Sequence, residues 1–400
     1  MSPFSSISER LQALVSDAFK TFVKENEKSD VNQLLLRKAP EGVDLKLAAD
    51  QILSRRKAKD KLPSWYTREN VILPPPLSIE QSSSERTAEY KKSVLKGEHL
   101  VDLTGGMGVD LLTLGAQFAK ATHVEMDEWL STVFDHNSKL LSQTSPEVVN
   151  QKAEDFLESF VGKATFFIDP ARRDTHKKKV FLFEDCSPNV IELMPQFQEK
   201  AEQVLIKAAP MIDITLGIKQ LHFVKEVHVV SLNNECKEVL FLLDFDFEKE
   251  PEIHCVNLTS IGDETFSFDM ASEKEALVKY DSAQSYLYEP NASIRKAGAF
   301  KTIASKYGLS KIAPNTHLYT SQGLIDNFPG RVFEVVGEVD KKNIKKHFPD
   351  SKANVISKNH PLTPEQIKKK FKLKDGGERF LIGFRNEKNG TQLLSCLKTG

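Results

Sequence analysis

The chain has 400 residues, of which 40% are hydrophobic and 28% charged, and its formal net charge is −1. This length allows two or three domains with ample cores, and the composition is that of a soluble globular protein. A membrane-spanning helix is excluded, because no run of about 18 apolar residues occurs. The cysteines show no C-x-x-C spacing, so the sequence predicts no zinc or other metal, no disulfide framework and a reducing, cytoplasmic location. They are Cys186, Cys236, Cys255 and Cys396.

Residues 1–80 are predicted to form a helical N-terminal segment. Its first twenty residues carry charges within an apolar spacing that is typical of an amphipathic helix, not of a signal peptide. The prolines at 74–76 break any helix. A basic run at residues 55–61 lies near Trp65 and Tyr66. This pattern fits single-stranded nucleic acid binding or, equally, a solvated helix face.

The most informative motif is LVDLTGGMGVDLLTL at residues 100–114. An apolar run leads to Asp102 and is followed by a turn with Gly105, Gly106 and Gly108. Apolar residues with helical spacing come after the turn. Glycine tolerates positive φ and has no Cβ, so the backbone N–H groups of this turn can approach a ligand closely. The carboxyl end of the first strand is where open α/β sheets bind ligands. The spacing is not the dinucleotide fingerprint G-x-G-x-x-G, and the preceding acid suits a ligand with a cationic amino-acid end.

Acidic residues follow later apolar runs of the same region. Glu125 ends a second short run, 23 residues beyond the first acid. The segment NQKAEDFLESF offers Asp155, and ATFFIDPARRD brings Asp169 and Pro170 to the end of a strand that is predicted to be buried. These acids are therefore expected at one edge of the same sheet.

Residues 81–247 are expected to form one domain, in which residues 97–245 alternate predicted strands and helices, as a doubly wound sheet does. The segment EVHVVSLNNECKEVLFLLDF predicts an antiparallel hairpin around Asn233 and Asn234 that closes the sheet. Residues 248–284 are expected to be an acidic connecting segment, residues 285–330 a linker and ferredoxin-like part, and residues 331–400 a basic α+β domain.

Charge is distributed unevenly along the C-terminal half. Residues 235–281 hold 13 Asp/Glu against 4 Lys, whereas residues 331–400 hold 16 Lys/Arg against 8 Asp/Glu. The lysines, among them Lys345 and Lys369, concentrate on two predicted helices. Such lysines can neutralise phosphates, which favours RNA as the partner, although lysine is also a common surface residue of helices.

These segments together resemble bacterial class I S-adenosylmethionine-dependent methyltransferases with a THUMP-like C-terminal domain. The resemblance covers nearly the full length and rests on SIEQSSSERTAEYK, DLTGGMGVD, DPARR, LIKAAPMIDI, YLYEPNASIRKAGAF and FPGRVFEVVGEV. It implies an α/β fold with a Rossmann-like methyltransferase sheet, parallel with a closing antiparallel hairpin, and a small α+β THUMP-like or ferredoxin-like domain. By analogy it also implies S-adenosylmethionine as the cofactor and RNA as the substrate.

The resemblance assigns cofactor contacts to individual residues. Glu125 matches the acid that binds the ribose hydroxyls, and Met126 the residue that packs on the adenine. Asp155 replaces the usual adenine-binding acid, whose position holds Lys152. Gln81 is a further candidate contact at the amino-acid end. The cofactor-binding set is Asp102, Thr104, Gly105, Gly106, Gly108, Glu125, Met126 and Asp155.

Asp169, Pro170 and Arg172 are the implied catalytic residues. The Asp169 side chain and a proline-fixed backbone carbonyl would accept from an exocyclic amine and aim its lone pair at the methyl group. Arg172 and Arg173 stand where relatives have an aromatic residue, and guanidinium groups suit phosphate or stacking on a base. A structural salt bridge is the alternative for either arginine.

The predicted function is therefore methyl transfer from S-adenosylmethionine to an RNA nucleobase held at the Asp-Pro-Ala-Arg segment. The alternatives are a methyltransferase of a protein or small molecule and a non-catalytic protein that binds the cofactor and RNA. Cys186 invites a covalent mechanism, but a buried small hydrophobe is the competing interpretation. His176 lies among lysines and is either a general base or part of a solvated loop.

Overall fold

The computed structural model describes residues 6–142, 144–172 and 182–399 of the chain. Within this part the chain divides into two compact units. The first unit comprises Met1–Lys225 and Leu240–Glu248, and the second comprises Glu226–Val239 and Lys249–Gly400.

Helices form the N-terminal part of the described chain, and strands and helices are interspersed after it. The helices are α1 (Ile7–Val15), α2 (Asp17–Glu25), α3 (Val31–Leu35), α4 (Leu45–Lys61), α5 (Pro63–Thr67), α6 (Pro76–Gln81), α7 (Glu85–Lys91), α8 (Val109–Leu114), α9 (Glu128–Leu141), α10 (Ala153–Ser159), α11 (Val190–Lys200), α12 (Ile214–Leu221), α13 (Met270–Glu275), α14 (Ala292–Ala297), α15 (Thr302–Tyr307), α16 (Ile344–His347) and α17 (Pro364–Phe371). The strands are β1 (His99–Asp102), β2 (Lys120–Val124), β3 (Glu147–Val149), β4 (Ala164–Ile168), β5 (Ala171–Arg172), β6 (Cys186–Ser187), β7 (Ala201–Ala208), β8 (Val224–Leu232), β9 (Glu235–Leu243), β10 (Glu252–Leu258), β11 (Glu264–Asp269), β12 (Tyr286–Pro290), β13 (Ser310–Ala313), β14 (Thr316–Ser321), β15 (Gly330–Glu338), β16 (Asn354–Lys358), β17 (Arg379–Arg385) and β18 (Thr391–Thr399).

The N-terminal segment is helical, as predicted, and polar side chains start its first four helices. Ser6, Ser16, Asp30 and Asp44 each accept a hydrogen bond from a backbone N–H of the following helix. A capping oxygen satisfies one of the donors that a helix start leaves unpaired. The apolar faces of these helices, including Phe19, bury themselves in one core cluster of the first unit. Packing of these faces holds the helices more than their intrinsic propensity does.

The large sheet confirms the predicted fold class. Its strands in the described residues have the order β3-β2-β1-β4-β7-β9-β8-β10-β11. β1 pairs in parallel with β2 and β4, and parallel pairs also join β2 to β3 and β4 to β7. Asn233 and Asn234 form the two-residue turn between β8 and β9, with φ of 51° and 65°. Two positive φ values in a two-residue turn are typical of an antiparallel hairpin, which the sequence placed here.

Strands β10 and β11 occupy part of residues 248–284, the stretch expected to be an acidic connecting segment. β10 pairs in parallel with β8, and β11 pairs antiparallel with β10. Ile253 and Cys255 on β10 are buried, as are Phe266 and Phe268 on β11. This alternation has the period of two that a strand requires, with His254 and Ser267 at the intervening positions.

The second unit contains a sheet with the strand order β13-β14-β12-β15-β18-β17-β16 in the described residues. Its core includes Leu287, Phe333, Ile382 and Phe384. From β15 onward the elements run strand, helix, strand, helix, strand, strand, as the sequence predicts for the basic α+β domain. No helix in the described part of the chain is long and apolar enough to cross a membrane.

Candidate functional site

A glycine-rich loop connects the end of β1 to the start of α8. The Gly105 N–H donates to the Val124 carbonyl oxygen on β2 (2.9 Å), and the Gly108 N–H donates to the Gly105 carbonyl oxygen (2.7 Å). Gly106 and Gly108 have φ of 52° and 80°, which other residues adopt only with strain. The loop is thus fixed to the sheet edge in a conformation that depends on glycine.

Two of these glycines are needed because aromatic rings pack directly beneath the loop. The His123 and Phe134 rings stack with centroids 3.7 Å apart and planes 5° apart. A Cβ at Gly105 would come within 2.3 Å of the His123 ring, and one at Gly108 within 2.1 Å of the Phe134 ring. At Gly106 a Cβ would meet only the Thr104 carbonyl oxygen, at 3.8 Å, among described atoms. Space therefore remains beside the Gly106 backbone, whereas Gly105 and Gly108 pack against the two rings.

A cavity of about 180 Å³ lies against this loop in the first unit. Six predicted site residues, Asp102, Thr104, Gly105, Gly106, Gly108 and Asp169, line it, as does Gln81. Its other described lining residues are Ser78, Ser82, Ser83, Met107, Val109, Asp110, Leu130, Phe167 and Lys207. The structure thus gathers five of the eight predicted cofactor-binding residues, together with Asp169, around one small pocket.

Asp102 is a buried carboxyl group at the base of this cavity. Its side chain is 1% exposed and accepts a hydrogen bond from the Thr104 N–H at 3.0 Å. Burial raises the pKa of Asp102 well above its usual value, and repulsion from Asp110 and Asp169 adds to this, although the Thr104 N–H and Lys207 oppose it. A cationic ligand group beside Asp102 would favour its charged form, so the carboxyl group is suited to receive an ammonium.

Buried charges next to the cavity form a compensated cluster. Lys91 Nζ lies 3.0 Å from Asp110 Oδ1, and Lys207 Nζ lies 3.6 Å from Asp110 Oδ2. The Ser83 hydroxyl donates to Asp110 Oδ2 at 2.7 Å. Although burial alone would raise it, Lys91 and Lys207 lower the pKa of Asp110 to about 2. Removal of either lysine would leave an incompletely paired buried carboxylate, which is costly.

Asp169 joins this cluster through Lys207. The Asp169 N–H donates to Thr104 Oγ1 at 2.7 Å, which fixes the backbone after β4 against the glycine loop. Its Oδ2 lies 2.5 Å from Lys207 Nζ, and the Asp169 side chain is 39% exposed. Lys207 was not among the residues predicted from the sequence. Its position inside the apolar run VLIKAAP could have indicated its role, since a charge in a buried strand must be paired.

Three predicted cofactor residues are absent from the described lining of the cavity. Glu125 accepts from the Gly106 N–H and the Asp127 N–H, both at 2.8 Å, and so ties the loop to the end of β2. Met126 is 67% exposed. Asp155 is exposed in the first turn of α10. Their predicted roles in binding the ribose and adenine remain predictions.

The predicted substrate residues are spread over the two units. Arg172 is exposed on β5, which pairs with β6 opposite Cys186. Cys186 is buried, with its thiol 3.6 Å from the Leu182 carbonyl oxygen, in agreement with the small-hydrophobe interpretation. Lys345 and Lys369 are exposed on α16 and α17 of the second unit. Arg173 and His176 lie outside the described residues.

The second unit also contains a cationic centre that the sequence analysis missed. Glu289 is 1% exposed, and Arg295 Nη1 donates to it at 2.7 Å, as does Arg331 Nε at 2.7 Å. Lys358 Nζ lies 2.5 Å from the same carboxylate. Three cations therefore surround one buried carboxylate. Their side chains are 22–34% exposed, so positive charge is in excess at the surface.

Comparison with protein families identifies two domains in the C-terminal part of the chain. Residues 286–329 match a ferredoxin-like domain, and residues 330–398 match a THUMP domain-like family. The predicted THUMP-like C-terminal domain is therefore confirmed. No curated protein matches the chain significantly.

Among solved structures, the chain is similar over nearly its whole length to a "putative methyltransferase" from Porphyromonas gingivalis W83. The identity is 29% and the TM-score 0.84, over 96% of this chain and 98% of that one. A "putative methyltransferase" from Escherichia coli matches at 20% identity and a TM-score of 0.27, over 40% of this chain and 84% of that chain. An rRNA methylase from Streptococcus thermophilus matches at 14% identity and a TM-score of 0.29, over 43% of this chain and 98% of that chain. The latter two TM-scores are too low to bear on function.

Replacing Gly108 by alanine should destabilise the first unit more than a positive φ alone explains. Gly42 provides the matched control, because its φ of 75° is close to the 80° of Gly108 and a Cβ there meets nothing within 4 Å. Both variants carry the strain of the left-handed region, about 1–2 kcal/mol. Gly108→Ala should lose a further ~1–3 kcal/mol through overpacking against Phe134. Urea unfolding measures the difference, and equal losses would show that the packing constraint is absent.

The His123 ring should remain uncharged well below neutral pH. Burial lowers the pKa of His123 to about 4, and hydrogen bonding to the Gly106 carbonyl oxygen only partly offsets this. Because the unfolded chain takes up the proton first, the stability that the buried neutral ring contributes is lost as pH falls from about 6.5 towards 4. NMR titration of the ring signals should show the neutral form at pH 5.5. A midpoint near 6.5 would contradict this account of the ring's environment.

Proposed function

We propose that the chain is an S-adenosylmethionine-dependent methyltransferase that acts on RNA. The observation that carries the proposal is the cavity at the end of β1, where the glycine loop, Asp102 and Asp169 meet. The likeness to the Porphyromonas gingivalis protein over 96% of the chain supports methyl transfer. The THUMP-like domain supports an RNA substrate.

The residues around the cavity fit the amino-acid end of this cofactor. The space beside Gly106 allows close approach of a ligand to the loop, and the buried Asp102 carboxyl group suits an ammonium. Gln81 lines the same cavity and offers an amide for hydrogen bonding. When bound, S-adenosylmethionine supplies an electrophilic methyl group. Asp102, Thr104 and the three loop glycines are therefore the proposed binding residues.

The distal half of the cofactor would be held by the acids at the ends of β2 and β3. Glu125 would accept from the ribose hydroxyls, and it lies next to the loop because it already accepts from the Gly106 N–H. Met126 would cover the adenine with its exposed side chain. Asp155 would accept from the adenine amine. Each of these roles rests on the resemblance to class I methyltransferases.

In this proposal Asp169 contacts the substrate, and Lys207 orients Asp169. Lys207 pairs with Asp169 Oδ2 and orients the carboxylate, while the Thr104 hydroxyl fixes the Asp169 backbone. We assign Asp169 Oδ1 and the Pro170 carbonyl oxygen as acceptors for an exocyclic amine. Arg172 then contacts a neighbouring phosphate. Most of the rate enhancement comes from holding amine and methyl group in line, because this reaction needs no strong base.

The second unit supplies positive charge for RNA. Lys345 and Lys369 are exposed on its helices, and the cationic centre around Glu289 adds three partly exposed cations. Neutralising phosphates with such side chains releases counterions and makes affinity depend on salt. This surface is proposed to bind the RNA backbone without reading its sequence.

One observation favours a second candidate function. The Asp169 carboxylate, which should receive the substrate amine, is already paired with Lys207 at 2.5 Å. A protein that binds the cofactor and RNA without transferring methyl groups would tolerate this pair. The first experiment below separates the two candidates.

Asp169→Ala should abolish methyl transfer and leave cofactor binding nearly intact. The substrate for the assay is total RNA from cells that lack the gene, with label incorporated from S-adenosylmethionine. Transfer should fall at least ~100-fold, because the acceptor atom loses its positioning. Calorimetry should show cofactor affinity within about threefold of the wild type. Asp135→Ala, a surface acid paired with Lys139, is the control that should change neither quantity.

Two outcomes of this experiment would contradict the proposal. Equal loss of cofactor binding and transfer would remove Asp169 from the catalytic residues. Cofactor binding without transfer by the wild-type protein, on RNA that lacks the modification, would support the non-catalytic candidate.

Lys345→Ala/Lys369→Ala should weaken RNA binding by removing phosphate contacts. If each lysine neutralises one phosphate of single-stranded RNA, the slope of log affinity against log salt should fall by about 1.4. Lys368→Ala is the matched control, because Lys368 lies on the same helix and its Nζ is 2.9 Å from Asp375. Filter binding over a salt series measures the slope. An unchanged slope in the double variant, or the same change in the control, would exclude this surface.

A further inference from the structure

Two short E-x-H segments of the second unit lie side by side on neighbouring strands. In the parallel pair β8·β10, Glu226 lies opposite Glu252 and His228 lies opposite His254. Residues two apart on a strand share one face of the sheet. The register therefore places two glutamates and two histidines together on one face.

The side chains converge as well as the backbone positions. His228 Nε2 lies 3.0 Å from Glu226 Oε2, and His254 Nε2 lies 3.8 Å from the same oxygen. The two imidazole rings stack with centroids 4.7 Å apart and planes 19° apart. One ligand atom from each of Glu226, His228 and His254 falls within 4.8 Å of the others. Glu252 Oε2 is 3.8 Å from His254 Nε2 and extends the cluster to four side chains.

These distances are close to those of a tetrahedral metal centre. Zinc–ligand bonds of about 2.1 Å at tetrahedral angles separate the ligand atoms by ~3.4 Å. Two of the separations, 3.0 and 3.8 Å, lie on either side of that value, and all three ligand atoms fall within 4.8 Å of one another. Small side-chain rotations on a rigid sheet would therefore suffice to coordinate an ion.

The surroundings of His254 strengthen this interpretation. Its other ring nitrogen, Nδ1, lies 2.8 Å from the hydroxyl oxygen of Ser267 on β11. A ligating histidine generally has its second nitrogen hydrogen-bonded, which fixes the ring orientation. The side chains also offer an entry path, since His228 is 6% exposed while Glu226 and His254 are 28% and 24% exposed.

We propose that Glu226, His228, His254 and Glu252 form a binding site for a divalent transition metal ion of the zinc type. Two imidazoles and two carboxylates are a ligand set that zinc accepts. Four protein ligands close the coordination shell, so the ion has a structural role. It holds β8 and β10 together within the second unit.

The test uses the full chain without a histidine tag, freed of metal by a chelator. Calorimetric titration with Zn²⁺ should show one ion bound per chain, and Co²⁺ should give the intense visible absorption of a tetrahedral site. Glu226→Gln and His254→Ala should each weaken binding at least tenfold. Zn²⁺ should raise the melting temperature of the wild-type protein and not that of these variants.

Two further variants separate a metal site from a hydrogen-bonded network. Ser267→Ala keeps every ligand and should weaken Zn²⁺ binding about 10-fold or more, because it removes only the partner of His254 Nδ1. His222→Asn changes an exposed histidine of the first unit and should leave binding unchanged. Circular dichroism checks that each variant is folded. Absence of stoichiometric binding by the wild type, or binding that persists in Glu226→Gln and Ser267→Ala, would overturn the proposal.

Discussion

The close packing of the glycine loop onto the His123–Phe134 stack is the constraint on which the candidate site depends. It leaves no space for a side chain at Gly105 or Gly108, so the loop lies directly against the two rings. The Gly106 backbone and Asp102 line one cavity, and the Thr104 hydroxyl accepts from the Asp169 N–H. A buried aromatic pair that is absent from the described lining of this cavity thus fixes the geometry in which a ligand could be held.

Charge compensation is the second condition for this site. Asp110 and Asp169 lie close enough to Asp102 to raise its pKa, and such a group of carboxylates is unstable unless cations are near. Lys91 and Lys207 supply them, and Lys207 contacts both Asp110 and Asp169. A single lysine therefore links Asp110, which lines the proposed cofactor pocket, to Asp169, the proposed substrate-positioning residue. A methyltransferase function requires that this lysine orient Asp169 without excluding the amine.

Local signals in the sequence predicted much of the fold. The glycine turn after Asp102, the hairpin at Asn233 and Asn234, and the strand–helix order of the C-terminal domain depend on neighbouring residues and were correctly placed. Lys207 was not recognised, because its partners are contributed by α8 and by the end of β4, which only the folded sheet brings together. β10 and β11 were not predicted, because each has only a short buried alternation within a stretch whose composition is acidic. The cluster of Glu226, His228, His254 and Glu252 was also not predicted, because only the strand register brings these residues together. Cysteine spacing in a sequence reveals thiolate sites alone.

The proposed function requires that the cavity at the end of β1 hold the amino-acid end of S-adenosylmethionine. A crystal structure of the protein grown with S-adenosylhomocysteine would show whether it does. The ammonium of the ligand should lie beside Asp102, and its carboxylate should lie against the glycine loop. Ligand bound elsewhere, or a cavity that remains closed to it at saturating concentration, would exclude this binding mode.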